Sequence, residues 1–298
     1  DQLMRIDPTY EHVTFVYAGQ DGVERGVPTL EEEEHPEVYY RDGQQPTTNA
    51  ETTPPVTDWS DLERADRLGV ESIDLLQFHW WAFEYPGYLD AMEGLTLAYQ
   101  DGRIANLGLT NFDTDHLNVL IRHGFPIVSN QVVVSMLDQR ALEEMSEVCL
   151  KNSVKLIAYG VLAGGFLTER WLDKREPTSR DLSDWSKTKY KRFIDQTGGW
   201  SNLQKILGAL KAVAQRRGVS VANVATRWVL DQPAVGAAIV GARLTESEHR
   251  RDNGAVFSFS LDEEDRDVLE ASMVDSRRLK GDCGSEYRQP PFLTASGD

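Results

Sequence analysis

Residues 73–79 read IDLLQFH, a short apolar run that closes on a histidine. Runs of this kind, bounded by polar segments, suit strands buried on both faces of a parallel sheet. Four more follow: IANLGLT at 104–110, IVSNQV at 127–132, VKLIAY at 154–159 and AAIV at 237–240. Helical patterns alternate with them over residues 88–101, 138–151, 202–217, 221–231, 245–256 and 261–273, and from an Asp113 N-cap to a stop before Gly124. The last opens on acids, which favour a helix N-terminus. Repeated βα units build either an open doubly wound sheet or a closed barrel. No GxGxxG follows an early strand, so the open fold's dinucleotide fingerprint is missing. The pattern predicts a closed α/β barrel of the (β/α)8, TIM type, with 167–200 as an elaborated loop on its C-terminal face.

The N-terminal side has another texture. Residues 1–66 hold sixteen acids against four arginines, so most of the chain's formal charge of −17 sits there. EEEEHPE at 31–37 and DGQQPTTNAETTPP at 42–55 lack apolar periodicity, as solvated segments do. Two strand-like pieces accompany them, HVTFVYA at 12–18 and EVYYR at 37–41. The expected organisation is a divergent acidic segment over 1–59 and a barrel domain with a C-terminal tail over 60–298. The acidic balance argues against nucleic acid as a partner. No apolar run approaches the roughly 18 residues of a membrane span, and no signal-peptide core opens the chain. Two cysteines, Cys149 and Cys283, are too few for a disulfide framework or a cysteine zinc site. A cytoplasmic protein without metal, monomeric or weakly self-associating, is the expectation.

Barrel chemistry gathers where strands run out into loops. Polar residues recur at those points: His79, Thr110 and Asn111, Asn130 and Gln131, Tyr159, and the Gly241-Ala242-Arg243 turn. One such residue is an ordinary strand terminator; five in succession point to a shared site.

DRLGVESIDLLQFHWW, GRIANLGLTNF, VSNQVV, VKLIAYGVLAGGFL and AAIVGARLTESEHRRDN, in that order, resemble the aldo-keto reductase family over roughly residues 60–275. The resemblance implies a barrel that binds extended NADPH and reduces an aldehyde or ketone. His79 would orient and polarise the carbonyl, as a strand-end imidazole can donate to an oxygen gaining negative charge; the alternative is a capped core-edge histidine. Asn111 and Gln131 would hold the nicotinamide carboxamide, whose donor and acceptor suit amides, with Thr110 beside them on the cofactor where the family commonly has serine. Tyr159 would stack on the nicotinamide ring, or simply pack the core. Gly160, Leu162 and Gly164 would contact the cofactor, the Ala163-Gly164-Gly165 loop letting backbone amides approach the pyrophosphate, although a tight turn explains that loop equally well. Gly241, Ala242 and Arg243 would meet the adenosine phosphate, Arg243 favouring NADPH through a forked contact to the 2′-phosphate, while Asn253, with Asp252 beside it, would face the adenine and His249 stands where many relatives have Arg or Gln.

The resemblance fails at the front of the chain. The family's tyrosine acid is tuned by a lysine paired with an aspartate, yet the first lysine here is Lys151. Tyr17 stands at a suitable distance before His79, with His12 where the aspartate belongs; Tyr10, Tyr39 and Tyr40 are weaker candidates. Two readings stay open: a working carbonyl reductase with Tyr17 and His79 as catalytic residues, or a weak or inactive barrel that keeps the nucleotide pocket in a regulatory role. Trp80, Trp81, Phe83, Tyr85 and the 171–200 segment would line an aromatic pocket for flat or apolar carbonyl compounds, unless they only pack the loops.

Overall fold

The computed structural model of the chain describes Met4–Arg5, Val13–Thr14 and residues 70–288, with 81–82, 85, 179, 183–184 and 242–248 excepted. Tyr10, His12, Tyr17, Tyr39, Tyr40, Trp81, Tyr85, Ala242, Arg243 and the two polar N-terminal stretches lie outside the described residues. The first two strands, β1 (Met4–Arg5) and β2 (Val13–Thr14), pair antiparallel as a sheet of their own, with β2 lying against the last strand of the main sheet.

The main sheet is parallel and, among the described residues, five-stranded: β3 (Leu76–His79), β4 (Leu107–Thr110), β5 (Ile127–Val133), β6 (Lys155–Tyr159) and β7 (Val235–Ala238). Its spatial order is its chain order. A doubly wound sheet reverses direction at a switch point. Adding each strand to the same edge keeps the crossover helices on one face, as in a barrel wall. Alternation fixes the two faces. Leu76 and Phe78 are buried against the helices with Leu107, Leu109 and Leu156, while Gln77 and His79 between them belong to the opposite face. Gly108 brings β4 and β5 close: a Cβ there would collide with Ser129 Oγ, beside a register shift at Leu107/Gly108.

The helices are α1 (Tyr88–Gln100), α2 (Thr114–Arg122), α3 (Glu144–Lys151), α4 (Trp185–Thr197), α5 (Gly199–Arg217), α6 (Val221–Leu230), α7 (Arg250–Gly254), α8 (Glu263–Met273) and α9 (Ser285–Arg288). Asp113 caps α2 by accepting from the His116 amide at 2.8 Å, and Ser220 caps α6 through Asn223. Asp262 and Asp265 form a capping box on α8, and Asp265 also accepts from Arg216 and Arg217 at the end of α5. These two helices are thereby tied end to end. Among the described residues no helix is long and apolar enough to cross a membrane.

Three expectations need correction. The helix expected from Asp138 begins at Glu144, because the Asp138 carboxylate is fully buried against Arg140 and the chain turns through a short 3-10 segment first. Of the helix expected over 245–256, residues 245–248 lie outside the described residues, Arg250–Gly254 is helical as α7, and only the last turn differs, being 3-10 at Ala255–Phe257. The expected loop at 167–200 contains α4, whose Tyr190, Phe193 and Ile194 are buried at helical spacing.

Candidate functional site

Register builds the site. His79 pairs with Thr110, and Thr110 pairs with Gln131, so these three occupy one level on the inner face. Tyr159 pairs with Val133, one two-residue step higher on that face. Gln131 thus lies within its strand, two residues short of its end, where the sequence suggested a strand terminus. Asn111 follows β4 in a left-handed conformation (φ 54°) and its amide donates to the Gln131 carbonyl at 2.9 Å. Asparagine tolerates that conformation better than most side chains.

The amides and the phenol meet directly. Tyr159 donates its hydroxyl to Asn111 Oδ1 at 2.9 Å, and Gln77 Nε2 donates to Gln131 Oε1 at 2.6 Å. Gln77 Oε1 is buried with no hydrogen-bond partner among the described residues. Burial, with the neighbouring Tyr287 hydroxyl and Glu286 carboxylate, pushes the Tyr159 phenol well above its ordinary range, so it stays protonated. Enclosure by protein and the nearby Arg288 guanidinium lower His79 to about 3. The ring is therefore a neutral imidazole at physiological pH, a donor through one nitrogen.

That shift has a thermodynamic consequence. Between about pH 6.5 and 3 the unfolded chain protonates this histidine and the native state does not. The unfolded state binds more protons there, so stability falls as pH falls through that window. Urea unfolding across it is expected to show a shallower pH dependence for His79→Gln than for the unsubstituted protein.

Sequence reasoning missed the C-terminal strap that crosses these strand ends. Arg288 Nη1 donates to the Asn111 carbonyl at 2.8 Å and Nη2 to the Trp80 carbonyl at 2.7 Å. Tyr287 Oη lies 3.1 Å from Tyr159 Oη, and Lys189 Nζ of α4 donates to that same Tyr287 oxygen. Arg140 anchors the strap through Glu286 Oε2 at 2.9 Å and the Asp282 carbonyl at 2.8 Å, while Asp282 accepts from the Thr114 amide. The aromatic residues are largely used by the fold. Phe83 stacks on His116 at 3.7 Å and carries Arg288 4.1 Å from its centroid; Trp171 and Trp200 pack with Phe166.

Chain order of the strands leads from this cluster to the remaining candidates. Gly160 and Gly164 both have positive φ beside Tyr190, with Leu162 half-buried between them. Past β7, Asn253 Nδ2 donates to the Gly241 carbonyl at 3.4 Å, and His249 is exposed. Asp252 accepts from Ser220 Oγ at 3.0 Å and Asn223 Nδ2 at 3.2 Å, which ties α7 to the start of α6. No cluster of three or more His, Cys, Asp or Glu able to hold a metal occurs among the described residues. Burial pushes the Cys149 thiol up to about 12, which removes it as a nucleophile.

Comparison with known proteins bears on the fold and the family. The chain is 24% identical over 229 residues to the aldo-keto reductase YhdN of Bacillus subtilis, covering 76% of this chain and 65% of that protein. It is 29% identical over 179 residues to flagellar radial spoke protein 5 of Chlamydomonas reinhardtii, covering 54% and 34%. The chain thus spans between about a third and two thirds of the length of these relatives. Among solved structures, a glycerol dehydrogenase from Gluconobacter oxydans superposes with a TM-score of 0.59 at 24% identity, covering 77% of this chain and 65% of that one. The fold is a (β/α)8 barrel, five strands of which are among the described residues. The sequence model of the aldo/keto reductase family matches residues 62–273, and the chain belongs to that family.

Proposed function

We propose that the protein binds NADPH along the strand ends from His79 to Asn253 and reduces a small aldehyde or ketone, with His79 donating to the carbonyl oxygen. The observation that carries this reading is the convergence of a neutral imidazole, two amides and a phenol on one end of one sheet face. The residues present suit a nicotinamide. Asn111 and Gln131 offer both donors and acceptors to a carboxamide, and Gln77 Oε1 adds a buried acceptor without a partner among the described residues. Bound there, the reduced cofactor supplies the hydride. His79 favours the charge that develops on the carbonyl oxygen, since a preorganised donor costs little reorganisation. Arg243 is assigned to the 2′-phosphate.

A second reading, a barrel that binds nucleotide without turnover, is favoured by one feature. No lysine stands between Tyr17 and His79, so that stretch supplies no ammonium to make Tyr17 a good acid.

Cofactor choice tests the assignment at the adenosine end. Arg243→Ala is expected to weaken NADPH by roughly 1–3 kcal/mol more than NADH, the worth of one charge-assisted contact. Equal losses in calorimetric titrations of the two cofactors would remove Arg243 from the phosphate site.

A further inference from the structure

The Gln131 amide is held by a residue two strands away. Gln77 on β3 pairs with Gly108 on β4, and Gly108 pairs with Ser129 on β5. Gln131 stands two residues further along β5, on the same face. Neighbouring strands lie about 4.8 Å apart, so a side chain that links β3 to β5 must cross the width of β4. Gly108 opens that path. A Cβ there would come within 3.3 Å of Gln77 Cγ and collide with Ser129 Oγ. Gln77 Nε2 thereby reaches Gln131 Oε1 at 2.6 Å.

Two amides can share one hydrogen bond in only two ways. Either Gln77 donates through Nε2 and its own Oε1 is the buried atom left over, or both amides turn over and an N–H end of Gln77 is left over instead. A buried oxygen short of partners is tolerated more readily than an orphaned N–H. The first arrangement is the one found. It ties back the Gln131 oxygen, while Gln131 Nε2 makes no hydrogen bond among the described residues and is the end left to meet a ligand.

We infer that Gln77 is a positioning residue for the cofactor: it fixes the Gln131 amide so that Nε2, and not Oε1, meets the carboxamide oxygen of the nicotinamide. This inference rests on the proposed nicotinamide site. An unrestrained glutamine amide presents either end at similar cost, and ordering it on binding takes from the affinity. Held from beneath, it is ordered before the nucleotide arrives. A preference follows: the ligand atom opposite Gln131 must be a good acceptor, so a carbonyl oxygen is favoured over sulfur, which accepts weakly.

The test is a calorimetric titration of NADPH and of its thionicotinamide analogue, in which sulfur replaces the carboxamide oxygen. The proteins are the unsubstituted chain, Gln77→Met, Gln131→Met and the double variant, with circular dichroism as the check on folding. Gln77→Met keeps the stem and removes both polar ends. It should weaken NADPH about 3- to 10-fold, the worth of one hydrogen bond, and weaken the analogue less. In the Gln131→Met background the same substitution should change neither affinity, because the two residues act as one unit. Where Gln77→Met fails to fold, Gln77→Glu carries the test: its carboxylate keeps an acceptor and cannot donate to Gln131. NADPH affinity relative to the unsubstituted protein should then fall as the introduced carboxyl loses its proton, and a constant ratio across that range overturns the inference. Equal weakening of both nucleotides by Gln77→Met overturns it, by showing a general loosening of the site. An undiminished loss in the Gln131→Met background also overturns it, since Gln77 would then touch the nucleotide directly. If the unsubstituted protein binds neither nucleotide, the nicotinamide reading itself falls and the inference with it. If both bind and only the coupling is missing, the role of Gln77 alone falls.

Discussion

Arg140→Met is expected to lower the free energy of unfolding by about 3–5 kcal/mol, the cost of removing one partner from a buried charge cluster. Arg140 donates to Asp138 Oδ2 at 2.6 Å and to Glu286 Oε2 at 2.9 Å, and those carboxylates are 0% and 3% exposed. Burial disfavours the guanidinium charge, but the two carboxylates more than offset it and hold Arg140 above the usual guanidinium range. Methionine keeps much of the volume and none of the donors. Asp138 would then be left buried without its cation, Glu286 would keep only the Lys189 ammonium 4.0 Å away, and the Asp282 carbonyl would lose its bond. Urea denaturation measures the loss. Because the same guanidinium anchors the C-terminal strap, amide hydrogen exchange should rise over residues 281–288 before it rises in β4 or β5. A loss under 1 kcal/mol would mean that the cluster relaxes or hydrates at little cost.

The second large effect is chemical. His79→Ala is expected to lower turnover of an aldehyde about 10²–10³-fold with little change in NADPH affinity, the usual cost of deleting one donor to a developing oxyanion. The neutral imidazole motivates the magnitude: it can donate to oxygen and has no charge to lose in doing so. Steady-state NADPH oxidation over a panel of carbonyls, run beside Tyr17→Phe, separates the contributions. Loss with His79→Ala alone fits polarisation by His79 with an acid drawn from elsewhere than Tyr17. Equal loss with Tyr17→Phe would return the acid to the N-terminal segment. Full activity in His79→Ala would reduce this residue to a packed strand terminus.

The parallel strands were legible because each is a compact apolar run with polar punctuation, and the punctuation is what the site uses. Their ends shifted where punctuation is absent. PAVGAAIV offers no local stop, and its strand is Val235–Ala238, two residues earlier than the run at 237–240 suggests. IDLLQFH pairs fully only from Leu76, since Ile73 makes an isolated bridge to Ile104 and the Asp74 carbonyl turns to the Asn106 side chain. The α4 helix carried its signal openly, with Tyr190, Phe193, Ile194 and Thr197 on one stripe, but the surrounding lysines and serines masked it. No local pattern could have revealed the strap. Its anchors join residues 146 and 177 positions apart, Arg140 to Glu286 and Asn111 to Arg288, and nothing in CGSEYR marks it as the cover of a site. The recognisable motifs thus led to Asn111 and Gln131, which the structure brings to the same end of the sheet, whereas Lys189 and Tyr287 emerge only from long-range packing.

The central claim is a nicotinamide site at the ends of β3 to β6, and the direct measurement is a titration of tryptophan fluorescence with NADPH. The chain has seven tryptophans, with Trp80 immediately after His79, so a bound dihydronicotinamide should quench their emission. The account predicts saturable quenching that is weakened in Asn111→Ala and Gln131→Ala, and weakened further when both are combined. Emission that responds to NADPH only as its absorbance dictates, with no saturation and no difference among the variants, would contradict it.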